Sequence, residues 1–270
     1  MDARSQRSSR FSRFSWSTVR SPRVLAVFFL TLDVDGGASK KDGGATPPPP
    51  GTGTALKVAF FADTASGADF KKVLALVKAE KADLAMIQGD LTYDGEKAPQ
   101  WFTALDSEIG GANKLPFVVA KGNHDSDWNA LGAGIKQRMA SAGVKTVTGD
   151  ATTINYSAAV GDVFMVMVGD AETSPPRAQF VEDQLKNDKH PWKICSWHKN
   201  QRLLTAGPKN DEMGYAVYEA CRKYGALVIT GHSHTYSRTK TLVNDTAQTV
   251  DSTCSSPFDL CLGAGKHFVA

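Results

Sequence analysis

Residues 84–93 read Leu84-Ala85-Met86-Ile87-Gln88-Gly89-Asp90-Leu91-Thr92-Tyr93. Four consecutive apolar residues make a short strand that is covered on both faces. Gly89 and Asp90 then stop it, so a carboxylate is expected at the carboxyl end of a buried strand. Layered α/β folds bind their ligands at such ends. The same unit recurs on either side. Upstream, 56–62 (LKVAFFA) reads as a buried strand that ends on Asp63, and 67–81 places Phe70, Val73, Leu74 and Val77 at helical spacing. Downstream, a helix is expected over 101–109. A strand at 116–121 (PFVVAK) leads into Gly122-Asn123-His124-Asp125, and a weak helix follows over 129–141. Next come a hairpin (153–160 with 163–168), a helix over 178–186 and a strand at 192–197 that ends on His198. A helix over 214–224 and a strand at 226–230 lead into Gly231-His232-Ser233-His234. Strands alternating with helices predict a layered α/β fold with a partly parallel sheet.

Composition narrows the function. Among 270 residues, 41% are apolar and 22% charged, which is ordinary for one large globular domain and excludes fibrous, wholly disordered and multi-span membrane classes. The net charge of +3 is uneven: residues 1–54 hold eight Lys/Arg against four Asp, the remainder 23 against 24 Asp/Glu. The near-neutral folded part argues against a nucleic-acid-binding surface. Residues 1–35 are basic, with a short apolar run at 24–30 (VLAVFFL) too brief for a membrane span. They have the layout of an export signal, which implies a secreted, periplasmic or otherwise extracytoplasmic location. A disordered basic tail, an organelle transit peptide or a cytoplasmic protein with a mis-assigned start are the alternatives. Residues 36–54, with six Gly and four Pro, read as a linker, and 55–270 as the folded domain.

The strand ends carry the chemistry. Four of the six histidines (His124, His198, His232, His234) fall there, with Asp63, Asp90 and Asn123. Each has a plainer reading: a helix N-cap for Asp63, turns for Asp90 and Asn123, packing for Tyr93, a core histidine for His198, a surface pair for His232 and His234. Together, carboxylate, amide oxygen and imidazole suit borderline divalent metals and iron. Six or seven donors exceed one ion and fit two, with one carboxylate shared. Two ions so held clamp an in-line displacement at phosphorus.

Asp63, Gly89-Asp90-x-x-Tyr93, Gly122-Asn123-His124-Asp125, His198 and Gly231-His232-x-His234 match in order the five blocks of the calcineurin-like metallophosphoesterases. Tyr93, the run from Gly231 to Thr239 and Trp197-His198-Lys199-Asn200-Gln201 resemble the microbial type of the purple acid phosphatase branch. The resemblance spans about 56–242 and implies a four-layer α/β/β/α sandwich. It also implies metal ligation by Asp63, Asp90, Tyr93 and His234 at one site and by Asp90, Asn123, His198 and His232 at the other. A phenolate at Tyr93 implies Fe3+ at the first, with Fe2+, Zn2+ or Mn2+ at the second. His124 would face the substrate and Asp125 orient it. The implied reaction is hydrolysis of a small phosphate monoester by a metal-bridging hydroxide. A phosphodiesterase with the same metals and a non-catalytic phosphate-binding module are the rivals. Where the branch has glycines beside the first Asp, this chain has Ala62 and Ala65. The family continues with further strands after the last His block, whereas 266–270 reads as a strand that starts and stops, so the C-terminal strands are expected to be cut short.

Other residues carry weaker expectations. Lys199, Asn200 and Arg202 are placed to meet a phosphate or to lie in a solvated loop. Tyr215, Tyr236 and Arg238 line the pocket or pack at its rim. Trp128 covers the site or anchors the helix after it. Cys254 and Cys261, seven apart, form a disulfide or stay free. Cys195 and Cys221 are expected as small core residues.

Overall fold

The computed structural model describes residues 14–19, 25–32, 55–109, 115–170, 174–254 and 261–270. One five-stranded sheet runs β1 (Phe14–Val19), β2 (Leu25–Leu32), β3 (Leu56–Phe61), β4 (Leu84–Ile87), β5 (Phe117–Val119). Its first two pairings are antiparallel and its last two parallel. The second sheet runs in the order β10 (Leu227–Ile229), β9 (Trp192–Ser196), β8 (Val163–Met167), β7 (Tyr156–Val160), β6 (Lys145–Thr148). Here β8, β9 and β10 are parallel, while β6, β7 and β8 form an antiparallel meander. A small ribbon, β11 (Leu242–Asn244) with β12 (Thr249–Val250), follows.

Alternation along the strands places the layers. Val163, Met165 and Met167 of β8 belong to the core shared by both sheets. Phe164, Val166 and Val168 belong to a second core with α4 (Arg177–Leu185) and α5 (Tyr215–Lys223). Opposite faces of one strand are thus buried in two cores, as a period of two requires. In β10, Leu227 and Ile229 face one way and Val228 the other. Beyond the first sheet lie α1 (Ala68–Ala79), α2 (Ala98–Glu108) and α3 (Trp128–Ser141). Phe70 of α1 stacks on Trp101 of α2 at 5.6 Å and meets Phe61 of β3 at 6.4 Å. Polar contacts also tie the sheets face to face: the buried Tyr156 hydroxyl accepts from Val119 N at 2.9 Å and donates to Val119 O at 2.8 Å, satisfying an edge strand that lies in the core. The expected four-layer α/β/β/α sandwich is what forms.

The sheet begins upstream of residue 55, where the domain was expected to start. Strand β2 pairs with β3 through the register Phe28↔Phe60, and Val27, Phe28, Phe29, Leu30 and Leu32 are buried. Phe28 stacks on Phe60 at 4.7 Å. Hydropathy does not separate an export core from a buried strand, because both need a short apolar run; the aromatic and β-branched residues here also suit a pleated surface. The Gly/Pro-rich stretch read as a linker lies outside the described residues.

One cysteine pair also departs from expectation. Cys195 of β9 and Cys221 of α5 are bonded to each other, pinning the helix to the sheet, with a Cα–Cα distance of 6.5 Å. Cys254 and Cys261 form the second bridge, the bonded alternative of the two open for that pair. Trp128 is buried at the start of α3 and anchors that helix. At the other end of the described chain, Val269 bridges Val228 in parallel and Thr230 N donates to Ala270 O at 2.7 Å, so these residues run beside β10.

Candidate metal centre

Five strand ends converge. Asp63 follows β3, Asp90 follows β4, Asn123 and His124 follow β5, His198 follows β9, and His232 and His234 follow β10. Close approach depends on small residues. A Cβ at Gly89, whose φ is +82°, would lie 2.7 Å from Gly122 N. One at Gly231 would lie 2.6 Å from Ala62 Cβ and 2.8 Å from Gln88 O. The loops are then stitched by Asp63 N to Gly89 O (3.0 Å), Gly231 N to His198 O (3.0 Å) and His232 N to Asp63 Oδ2 (2.9 Å). Asp63, Asp90, His232 and His234 all adopt left-handed backbone, with φ of 56°, 51°, 69° and 50°. Each such non-glycine costs on the order of 1–2 kcal/mol, and strain of this kind gathers where function over-determines the backbone. Ala65, two residues after Asp63, is left-handed too, at φ 50°.

The donors fall into two groups that share one oxygen. Tyr93 Oη lies 3.0 Å from Asp63 Oδ1, 3.1 Å from Asp90 Oδ2 and 3.4 Å from His234 Nε2. His234 Nε2 is itself 3.2 Å from Asp63 Oδ1. On the other side, His198 Nε2 is 3.0 Å from the same Asp90 Oδ2 and 3.2 Å from His232 Nδ1. Asp90, His198 and His232, all buried, form a cluster able to hold a metal ion. Six of the seven expected ligands therefore meet, and Asp90 bridges their two halves. Asn123 is exposed and flanked by Gly122, whose N–H donates to Asp125, and His124, whose N–H donates to Asp90 Oδ1 at 2.8 Å.

His198 Nδ1 lies 2.6 Å from the Gln88 carbonyl. A carbonyl only accepts, so Nδ1 carries hydrogen and Nε2 turns its lone pair toward Asp90 and His232. Acceptors aimed at one another within 3.2 Å repel unless a cation or a proton sits among them. The donor set thus fits a pair of cations. Without metal, protons do that work. Burial opposes charge on His198, but the hydrogen bond to Asp90 and the charges of Asp63 and Asp90 outweigh it and raise its pKa to about 9. Burial also opposes charge on Asp90, yet His198 and His124 bring it down to about 2. Burial and the two carboxylates push the Tyr93 phenol far above its ordinary value. A histidine whose pKa rises from 6.5 to about 9 on folding contributes stability that is complete below 6.5 and lost as pH climbs through 9. Thermal midpoints of metal-stripped protein are expected to fall across that window, and a flat profile would contradict the pairing.

His124 stands at the mouth of the cluster. Its side chain is 49% exposed, with Nε2 4.0 Å from Asp90 Oδ2 and its ring 4.5 Å from that of Tyr93. Asp125 does not orient it, contrary to expectation. The Asp125 carboxylate is buried and accepts from Leu91 N (2.7 Å), Gly122 N (2.8 Å), Asp90 N (3.1 Å) and Thr92 N (3.2 Å). Four backbone donors within reach outcompete one ring, so Asp125 shapes the Asp90 loop. Lys199 is engaged by Asp170 (3.2 Å) and Glu212 (3.7 Å), and Asn200 donates to Thr230 Oγ1 and Gly231 O. Arg202 N donates to Asp211. Tyr236 is 42% exposed and tilts against Phe28 at 5.5 Å.

Three participants escaped sequence reading. The Gln88 carbonyl is a backbone group and leaves no residue-type signal. Glu96 accepts from Ser66 N, Ser66 Oγ and Tyr93 N, tying two ligand loops together. Glu212 lies 2.9 Å from His232 Nε2, from a loop with no motif of its own.

Residues 56–236 match the calcineurin-like phosphoesterase family. A nucleotide pyrophosphatase/phosphodiesterase from Hordeum vulgare is 27% identical over 216 residues, covering 68% of this chain and 58% of that protein. A probable inactive purple acid phosphatase 27 from Arabidopsis thaliana is 30% identical over 182 residues, covering 58% of this chain and 29% of that one. Among solved structures, purple acid phosphatase PPD1 from yellow lupin (Lupinus luteus) seeds is 19% identical with a TM-score of 0.48, over 82% of this chain and 46% of that one. The chain therefore spans only part of the relatives it matches. With ordered motifs, layered fold and family match in agreement, the chain belongs to the calcineurin-like phosphoesterases, a metal-dependent family of phosphoric ester hydrolases.

Proposed function

We propose that the chain hydrolyses small phosphate monoesters at a two-metal site of the purple acid phosphatase type. The observation that carries this reading is the place of Tyr93 Oη, within 3.1 Å of both carboxylates and 3.4 Å of His234. Asp63, Asp90, Tyr93 and His234 hold one cation; Asp90, Asn123, His198 and His232 hold the other. Two cations held there would supply charge to neutralise phosphoryl oxygens and to acidify a water. His124, exposed beside Asp90, donates a hydrogen bond to the phosphoryl group and a proton to the leaving oxygen. Gln88 O and Asp125 keep His198 and the Asp90 loop in place.

A phenolate is a hard anionic donor and favours a trivalent ion, so Fe3+ is assigned to the Tyr93 site and a divalent ion to the other. Oxidised protein is then expected to be pink or purple, and Tyr93→Phe to lose the visible band. A colourless, fully active enzyme holding only manganese or zinc would overturn this assignment. His124→Ala is expected to lower turnover by about 100- to 10,000-fold with metal content unchanged. Loss of metal in that variant would instead make His124 a ligand.

A phosphodiester substrate is the second reading, because the Hordeum vulgare relative is named a nucleotide pyrophosphatase/phosphodiesterase. Rates on 4-nitrophenyl phosphate and bis(4-nitrophenyl) phosphate at equal metal loading separate the two. The Arabidopsis thaliana relative is called probably inactive; metal-loaded protein that turns over neither ester would favour a phosphate-binding module. Two disulfides suit an oxidising compartment and support a location outside the cytoplasm. No helix among the described residues is long and apolar enough to cross a membrane.

A further inference from the structure

We propose that Glu212 is a positioning residue of the Asp90–His198–His232 site: it fixes the tautomer of His232 that turns a bare Nδ1 into the cluster. The proposal rests on the two-metal reading above. Glu212 Oε2 lies 2.9 Å from His232 Nε2, while His232 Nδ1 lies 3.2 Å from His198 Nε2. A neutral imidazole carries one N–H. Placed on Nδ1, it would point into the donor cluster and block it. A carboxylate only accepts, so Glu212 draws the hydrogen to Nε2.

The carboxylate is held by a built frame. Glu212 N donates to Asn200 O at 3.0 Å, Arg202 N donates to Asp211 Oδ1 at 2.8 Å, and Gln201 Oε1 accepts from Met213 N and Gly214 N, both at 2.8 Å. The segment just after His198 thus clamps 211–214, and the Lys199 ammonium stands 3.7 Å from the Glu212 carboxylate. His198 and His232 are oriented by different means, one by a carbonyl dipole and one by a full negative charge. Carboxylate partners of this kind raise ligand basicity, and their loss typically weakens metal binding by about 10- to 100-fold.

The test uses the full chain, stripped of metal and labelled with 15N at histidine. At mildly alkaline pH the His232 resonances of wild type should show Nδ1 bare and Nε2 protonated. Glu212→Ala should shift the ring toward the other tautomer, and Glu212→Gln, whose amide oxygen still accepts, should restore it. Titration with Zn2+ should then show one of two sites weakened by about 10- to 100-fold in Glu212→Ala and largely recovered in Glu212→Gln. An unchanged His232 tautomer in Glu212→Ala overturns the proposal, as does equal weakening of both sites or a Gln variant no better than Ala. Failure of wild type to bind a second Zn2+ defeats the two-metal reading instead, while the tautomer measurement still decides the role of Glu212.

Discussion

Asp90→Asn is expected to abolish hydrolysis, with turnover down by at least about a thousandfold, roughly 4 kcal/mol of barrier. One oxygen of Asp90 serves both halves of the site: Oδ2 is 3.1 Å from Tyr93 Oη and 3.0 Å from His198 Nε2. Asparagine loses the charge that both cations would share. Whichever way its amide is turned, a donor N–H2 replaces one of two accepting oxygens, either beside His198 and Tyr93 or against His124 N. The fold itself should survive. Strand β4 is buried through Leu84–Ile87, and Asp125 still receives the N–H groups of Asp90, Leu91 and Thr92. Far-ultraviolet circular dichroism should match wild type while bound metal falls. Near-normal turnover would refute the ligand assignment, and a collapsed spectrum would mean that Asp90 acts through folding.

Asp125→Ala is expected to have the largest effect on stability, a loss of about 4 kcal/mol or more, with activity lost alongside. The carboxylate is fully buried and accepts from four backbone N–H groups. A buried donor left unsatisfied costs about 1–3 kcal/mol, and alanine orphans all four where water has little access. Asp125→Asn should fall between. Its oxygen can serve one pair of donors, but its N–H2 would face the other pair, Leu91 and Thr92 or Asp90 and Gly122. Urea midpoints of the two variants check this ordering. A stable Asp125→Ala protein, or an asparagine variant as weak as alanine, would contradict the assigned role.

The legible features were those encoded by local pattern. Runs such as Leu84–Ile87 and Val163–Met167 announce buried strands because every residue in them is apolar, and both are fully buried. The donors were legible because polar residues immediately after such runs have one place to go. Features set by long-range pairing were not. Cys195 and Cys221 are separated by 26 positions and sit on different elements, so their bond follows only once α5 lies on β9. The strand Leu25–Leu32 looks like an export core until Phe28 is seen against Phe60. Strand β6 escaped notice because all four residues of Lys145–Thr148 are exposed and carry no burial signal. Asp125 was given the wrong task for a related reason. Its neighbour in sequence is His124, but its partners include amides 33–35 residues away.

The most direct test is quantitative metal analysis of the full chain after reconstitution, beside Asp90→Asn treated identically. Two equivalents of metal per wild-type chain, and at most one weakly held ion in the variant, are the result expected from donors that share the Asp90 oxygen. A wild-type chain that never exceeds one equivalent, or a variant that retains two, would contradict the paired-cation site.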